Sequence, residues 1–177
     1  MKIEIGSNEA GQRLDKFLRK LLKDVPLSAI FKAIRKGDIR VNGKKQKEKY
    51  SLLEGDEVEI RYIQSKKENK TNFIQVDSSE LKVVYEDENV LIVEKWPGVL
   101  VHPDSKGSEA TLTDYVLSYL NEKGDYRPEE EITFTPASCN RLDRNTSGVV
   151  IFGKNFEALK TLNEVVREGQ VKKYYYT

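Results

Sequence analysis

The sequence contains almost no cysteine and no long hydrophobic run, and both shortages exclude classes of protein. Cys139 is the single cysteine among 177 residues, so the chain has neither an internal disulfide framework nor a cysteine cluster for zinc. No stretch approaches the ~18 consecutive apolar residues of a membrane span. The opening residues, MKIEIGSNEA, lack the apolar core of a signal peptide. These absences predict a cytoplasmic protein with no membrane partner.

Net charge is also small, at +1, but the charges are unevenly distributed. Between Ala10 and Lys49, thirteen Lys and Arg residues accompany four Asp and Glu residues, which is a local charge of +9. The rest of the chain therefore carries −8. A basic segment joined to an acidic remainder is typical of a protein in which one part contacts phosphates.

The first sixty residues predict two helices followed by a small hairpin. Apolar residues recur at helical spacing in Gln12–Val25, and Gly37 marks the end of the second helix. Asn42-Gly43 favours a tight turn because both residues tolerate positive φ. We therefore predict a first domain over residues 1–64, which is large enough to fold by itself.

The remainder predicts a linker and a second domain. The polar string SKKENKTN, without periodicity, indicates a linker over residues 65–80. Residues 81–177 then alternate between strand and helix patterns. The predicted elements are strands at 82–85 and 89–93, a helix at 111–120, a strand at 149–152, a helix at 156–168 and a strand from Val171. This pattern predicts an α+β fold.

The basic segment carries the string RLDKFLRKLL … SAIFKAIRKGDIRVNGKK. It resembles, over about residues 12–62, the small αL-type RNA-binding domain named after ribosomal protein S-four. Phosphates call for cations fixed on a rigid helix face and an adjoining loop, which this segment supplies. The alternative is a solvated basic surface without a ligand. The candidate RNA contacts are Arg13, Lys16, Lys32, Arg35, Lys36, Arg40 and Lys44.

Residues 139–148 read CNRLDRNTSG. This string resembles the central motif of pseudouridine synthases of the Rlu group, which act on large-subunit ribosomal RNA. The resemblance implies that Asp143 carries catalysis, that Arg141 fills the gap left by an extruded uridine, and that Arg144 contacts RNA. Asn140 stands where the family usually has histidine, and we expect this departure to weaken an accessory hydrogen bond only. The alternative is that Asp143 forms an ordinary surface ion pair.

Two further strings resemble motifs of the same family. VVYEDENVLIVEKWPGVLVHP resembles the first motif, with Pro97 displaced by one position. VKKYYYT resembles a Lys-x-Tyr-x-Ala strand, with Lys173 and Tyr175 in register and Thr177 at the small-residue position. By this resemblance Tyr175 stacks on the flipped base, and a register one residue earlier selects Tyr174 instead.

The resemblance implies a mixed, mainly antiparallel sheet with flanking helices and the isomerisation of uridine to pseudouridine. A carboxylate must reach the ribose and the pyrimidine, either as a nucleophile or by assisting glycal formation, and the sequence leaves both routes open. The target base must first be extruded. The resemblance implies neither a metal nor another cofactor.

Catalytic domains of this family continue beyond position 177. We therefore expect residues 81–177 to be the front part of such a domain and the isolated chain to be weakly active or inactive, because missing strands leave an open edge. The alternative function is a non-catalytic module that binds ribosomal RNA, or an inactive fragment of such an enzyme. The sequence predicts no oligomeric state.

Overall fold

A computed structural model describes residues 1–63, 73–104 and 109–176. The chain divides into two compact units, Met1–Lys70 with Glu131–Phe134, and Thr71–Glu130 with Thr135–Thr177. Within the described ranges, every helix is too short or too polar to cross a bilayer.

Two helices and a three-stranded sheet form the first unit. The elements are β1 (Lys2–Glu4), α1 (Leu14–Leu21), α2 (Leu27–Lys36), β2 (Ile39–Val41) and β3 (Glu57–Ile60). The strands are antiparallel in the order β1-β3-β2. The apolar stripes of both helices and the inner residues of the sheet form one buried cluster. Burial of apolar surface is the main source of stability in so small a unit.

The helix ends of the first unit follow from local chemistry. Gly37 adopts φ 85°, and its N–H donates to the carbonyls of Ala33 and Ile34, so α2 ends at the predicted glycine. The first helix ends at Leu21, before the predicted Val25. Pro26 follows in an extended conformation as the N-cap of α2, and a residue before proline is disfavoured in a helix.

The predicted tight turn at Asn42-Gly43 is confirmed, since both residues have positive φ, 51° and 72°. The strand after the turn is limited to an isolated bridge between Val41 and Lys44. The main partner of β2 is instead β3, fifteen or more residues later. The sequence did not predict β1, because three residues are too few to establish an alternating pattern.

The second unit contains a four-stranded sheet and two helices. The elements are β4 (Lys82–Glu86), β5 (Val90–Lys95), α3 (Leu112–Lys123), β6 (Ala137–Ser138), β7 (Gly148–Gly153) and α4 (Phe156–Arg167). The strand order is β4-β5-β7-β6, and every described pair is antiparallel. The predicted α+β fold is therefore confirmed. The sheet was predicted to be mixed and mainly antiparallel, and all pairs of its described strands are antiparallel.

Each helix of the second unit is fixed to the sheet differently. The first, α3, begins with a capping box between Thr111 and Asp114 and buries its apolar side in the core. The second, α4, packs against β7 at Gly153, where an added Cβ would lie 2.6 Å from Leu159 Cα. Only glycine permits so close an approach of helix backbone and strand.

Two predictions for the second unit need correction. Residues 65–72 of the predicted linker lie outside the described residues, but residues 73–80 pack along α3. Val76 N donates to Ser118 Oγ at 3.1 Å, and Ser78 Oγ donates to Glu122 Oε2 at 2.7 Å. The second correction concerns the strand predicted from Val171, because residues 171–176 form no strand and are mostly exposed. Thr177 lies outside the described residues.

A cluster of charged side chains joins β4, α3 and the end of β7. Lys154 Nζ, at 7% side-chain exposure, donates to Glu86 Oε1 at 2.8 Å and to Asp125 Oδ2 at 2.7 Å. Glu86 also accepts from Lys123 Nζ at 2.8 Å and from Tyr119 OH at 2.7 Å. These bonds satisfy a largely buried ammonium group and a largely buried carboxylate together, as burial of charge requires.

Candidate functional site

Asp143 lies on the loop of residues 141–147, which connects β6 to β7. Its main-chain carbonyl accepts a hydrogen bond from Thr146 N at 3.1 Å, so the residue sits in a tight turn. The side chain is exposed, and among the described residues its carboxylate has no hydrogen-bond or ion-pair partner. An exposed, unpaired carboxylate is accessible to a substrate.

A buried lysine lies beneath this loop. Lys95, the last residue of β5, is fully buried, and its Nζ donates to Arg144 O at 2.8 Å and to Trp96 O at 3.0 Å. Burial lowers the pKa of Lys95, and the nearby Asp143 carboxylate opposes that shift. The loop therefore rests on a cation that attracts the Asp143 carboxylate.

Arg144 fixes the same loop through both its main chain and its side chain. Gly98 N also donates to Arg144 O, at 2.9 Å. The guanidinium donates to Glu109 Oε2 at 2.8 Å and lies 3.8 Å from Asp104 Oδ2. A contact between Arg144 and RNA stays a prediction, and in this structure the side chain is engaged within its own unit.

Asn140 makes two hydrogen bonds to the edge of β7, where the sequence led us to expect a weakened contact. Its Nδ2 donates to Val149 O at 3.0 Å, and its Oδ1 accepts from Ile151 N at 2.8 Å. Nothing in the sequence pattern identified this role, because it depends on the point at which the chain leaves β6.

His102 connects the chain before α3 to β6. Thr113 Oγ1 donates to Val101 O at 2.7 Å, so this oxygen is left to accept from His102 Nδ1–H at 3.3 Å. We therefore assign the proton to Nδ1, and Nε2 then accepts from Ser138 Oγ at 2.9 Å. Partial burial, with the nearby Arg141 cation, lowers the pKa of His102 and favours this neutral form.

Arg141 and Tyr175 line the same open groove, of about 740 Å³. Tyr174 and Tyr176 line it as well, so the choice between Tyr174 and Tyr175 is not decided by position. Asp143 is not among the lining residues, although Leu142 and Asn145 of the same loop are. Two lysines that were not among the predicted RNA contacts, Lys172 and Lys173, add positive charge to the groove.

The first unit presents most of its predicted RNA contacts to solvent. The predicted contacts that are exposed on α1, α2 and the following turn are Lys16, Lys32, Arg35, Lys36 and Lys44. A groove of about 780 Å³ beside α2 is lined by Arg35 and by three further lysines, Lys45, Lys47 and Lys49. The local charge of the segment indicated that these lysines could matter, but it offered no basis for choosing among thirteen cations.

Two predicted RNA contacts are held by intramolecular bonds. Arg13 forms a two-pronged pair with Asp15, at 3.0 Å from Nε and 2.7 Å from Nη2. Arg40 donates to the carbonyls of Gly37 at 3.1 Å and Gly43 at 3.3 Å. Both guanidinium groups are thereby oriented, and their contact with RNA stays a prediction.

Metal-ligating side chains do not gather in the described ranges, where no group of three or more His, Cys, Asp or Glu residues could hold an ion. Cys139 is buried, and burial raises its thiol pKa to about 11. The thiol is therefore protonated and unreactive at neutral pH. The chemistry available here rests on a carboxylate, cations and exposed aromatic rings.

Comparison with known families gives two matches. Residues 89–177 match the model of the RNA pseudouridylate synthase family, and residues 12–58 match that of the S4 domain. The first match contains the 141–147 loop, and the second contains both helices of the first unit.

Similar curated proteins cover nearly the whole chain. Ribosomal large subunit pseudouridine synthase C of Escherichia coli is 38% identical over 177 residues, covering 98% of this chain and 52% of that protein. The protein of the same name in Vibrio vulnificus is 34% identical, covering 98% and 53%. An uncharacterized RNA pseudouridine synthase of Mycoplasma capricolum is 35% identical, covering 99% and 57%. The chain thus spans about half the length of these relatives.

Proposed function

The chain belongs to the RNA pseudouridylate synthase family, and from this premise we propose that it isomerises specific uridines of large-subunit ribosomal RNA to pseudouridine, with Asp143 as the catalytic residue. The observation that carries the proposal is the placement of Asp143. Its carboxylate is exposed and unpaired among the described residues, and the chain is anchored on either side of it, at Asn140 and at Arg144. The names of the similar proteins support large-subunit ribosomal RNA as the substrate.

The reaction requires a carboxylate beside the ribose of the target nucleotide. The bond between N1 and C1′ breaks and the uracil rotates. A new bond then joins C5 to C1′, C5 loses its proton, and N1 takes up a proton. Asp143 either attacks as a nucleophile or assists formation of a glycal. A carboxylate without an intramolecular partner has both oxygens available for either route, and the Lys95 cation beneath the loop attracts it electrostatically.

The groove beside the 141–147 loop supplies what an extruded base needs. Leaving a stack costs a few kcal/mol, and enzymes offset this cost by filling the gap and stacking the base on an aromatic ring. Arg141 is the candidate for the gap, and Tyr175 is the candidate for the stacking surface. Both are exposed and line the same groove.

The first unit contributes affinity through phosphate contacts. Lys32, Arg35 and Lys36 are exposed in the C-terminal half of α2. The groove beside them is lined by further lysines. Cations on a rigid helix supply sequence-independent attraction to folded RNA.

Changing Asp143 to Asn tests catalysis directly. The amide keeps the shape of the side chain but loses the charge, so pseudouridine formation should fall by about 10²–10⁴-fold. The measurement is pseudouridine mapping of ribosomal RNA from cells whose only copy of the gene carries the change. Asp77→Asn is a matched control, because Asp77 is exposed and lies in the same unit.

A non-catalytic RNA-binding module is the second candidate function, favoured by the separate basic unit. On our proposal, Asp143→Asn leaves RNA affinity within about twofold of wild type while the modified sites disappear. An identical pseudouridine map for wild type, Asp143→Asn and a gene deletion would exclude catalysis and leave only the binding function.

A further inference from the structure

Asn140 occupies the point at which the chain leaves β6 and enters the 141–147 loop. Main-chain pairing with β7 ends at Cys139, whose N–H donates to Ile151 O at 2.7 Å. Beyond that point the Val149 carbonyl and the Ile151 N–H still face the β6 side of the sheet. Backbone polar groups in such a position need partners. The Asn140 carboxamide bonds to both groups and so substitutes for the next peptide of β6.

We propose that Asn140 is a positioning residue, which fixes the start of the 141–147 loop and thereby the place of the Asp143 carboxylate. The far anchor of this loop is the Arg144 carbonyl, held by the two donors described above. The near anchor is Asn140. The catalytic consequence rests on the proposed function, but the loop geometry can be measured without RNA.

A carboxamide suits this place because it offers one donor and one acceptor and does not titrate. An imidazole, the group expected from the motif that the sequence resembles, titrates near neutral pH. Its protonated form has two donors and no acceptor for the Ile151 N–H. Asn140 therefore makes the near anchor independent of pH.

The groups that face Asn140 set how a carboxyl at this position would titrate. β7 contributes no titratable residue, and His102 lies on the β6 side through its bond to Ser138. The other titratable groups of the shared groove are cations and phenols, namely Arg141, Lys172, Lys173 and Tyr174–Tyr176. The facing cations favour the charged form of an aspartate at position 140, whereas the Val149 carbonyl oxygen favours the protonated form, which can donate to it.

The test compares Asn140→Asp and Asn140→Leu with the control Asn163→Asp, which adds the same charge on the exposed side of α4. The readout is NMR amide exchange at Thr146 and Gly98, whose N–H groups bond to main-chain oxygens of the loop. In Asn140→Asp the carboxylate cannot donate to Val149 O, so protection should fall roughly tenfold at neutral pH.

Protonation of the new carboxyl group restores a donor, so protection in Asn140→Asp should return as the pH falls through its pKa. In Asn140→Leu, the amides of Thr146 and Gly98 should exchange without protection at every pH. In wild type and in Asn163→Asp, the same amides should stay protected throughout. In the protein assayed on RNA, Asn140→Asp should lower kcat roughly 10- to 100-fold at neutral pH with little change in KM.

Equal protection in wild type and Asn140→Asp at neutral pH would overturn the proposal, as would a loss that acid does not reverse. A wild-type kcat for Asn140→Leu would overturn the catalytic consequence. If pseudouridine mapping of cells with and without the gene shows no difference, the proposed function fails by itself. The exchange results would then still decide whether Asn140 positions the loop.

Discussion

At the scale of single residues, the core of the second unit contains a hydroxyl group that finds no partner within the described ranges. Tyr126 is 2% exposed, and its ring packs 6.4 Å from that of Phe73. Its OH is the buried side-chain atom that finds no hydrogen-bond partner among the described residues. A buried, unsatisfied polar group costs about 1–3 kcal/mol.

Tyr126→Phe should therefore raise the free energy of unfolding of the second unit by about 1 kcal/mol. Tyr119→Phe is the matched control, since it removes a hydroxyl that donates to Glu86 at 2.7 Å and should lower stability by about 1.5–3 kcal/mol. Urea denaturation followed by the fluorescence of Trp96, the single tryptophan, measures both. A loss of stability in Tyr126→Phe as large as that in Tyr119→Phe would contradict this prediction.

Several residue assignments could be made from sequence because their chemistry is local. Gly37 ends α2 through its own conformation, as predicted, and the helix predicted from residue 111 begins with the side-chain cap of Thr111. The roles of Lys95 and Asn140 could not be predicted, because their partners lie on other strands or loops. A pattern of spacing along the chain carries no information about such contacts.

At the scale of elements, the charged cluster of Glu86, Lys123 and Lys154 holds β4, α3 and the end of β7 together. Burial acts to raise the pKa of Glu86, but hydrogen bonds from Lys123, Lys154 and Tyr119 outweigh it and lower the pKa to about 2. An unfolded glutamate titrates near 4.5. The cluster thus contributes stability above pH ~4.5, and this contribution is lost as the pH falls toward 2.

Glu86→Gln should remove most of the pH dependence of stability between pH ~4.5 and 2, and lower stability at pH 7 by a few kcal/mol. Urea denaturation with Trp96 fluorescence across this pH range measures the effect. Glu80→Gln, at an exposed position, is the control. Its free energy of unfolding should fall with decreasing pH as that of wild type does. An unchanged slope in Glu86→Gln would show that other carboxyl groups dominate acid unfolding.

Most elements were predicted from sequence, and the errors have physical reasons. Strands β4, β5 and β7 and helices α3 and α4 carry clear apolar periodicity and were found within a few residues. The two-residue strand β6 is too short for a pattern, and its pairing with β7 is a long-range choice. Residues 73–80 were assigned to a linker by composition, yet their polar groups bond to the side of α3.

At the scale of the whole molecule, positive charge is concentrated in the first unit. The segment from Ala10 to Lys49 carries +9, against +1 for the whole chain. Neutralising Lys32, Arg35 and Lys36 together should weaken RNA binding and reduce the slope of log K against log salt by up to about 3, if each contacts one phosphate. Filter binding at several salt concentrations measures the slope.

The control for this experiment removes the same number of exposed cations from the second unit, at Lys82, Lys160 and Arg167. Its salt slope should stay near that of wild type. Equal slopes for both triple variants would contradict a phosphate-binding role for α2. The charge distribution that motivates the test was visible in the sequence, but the exposure of each cation was not.

The main-chain anchor of the 141–147 loop has an evolutionary consequence. Lys95 and Gly98 both hold the carbonyl oxygen of Arg144, an atom that every amino acid supplies. Mutations at position 144 therefore leave these two bonds intact, whereas position 95 must supply an ammonium group. Selection can thus vary the side chain at position 144 while the main-chain anchor of the 141–147 loop is inherited unchanged.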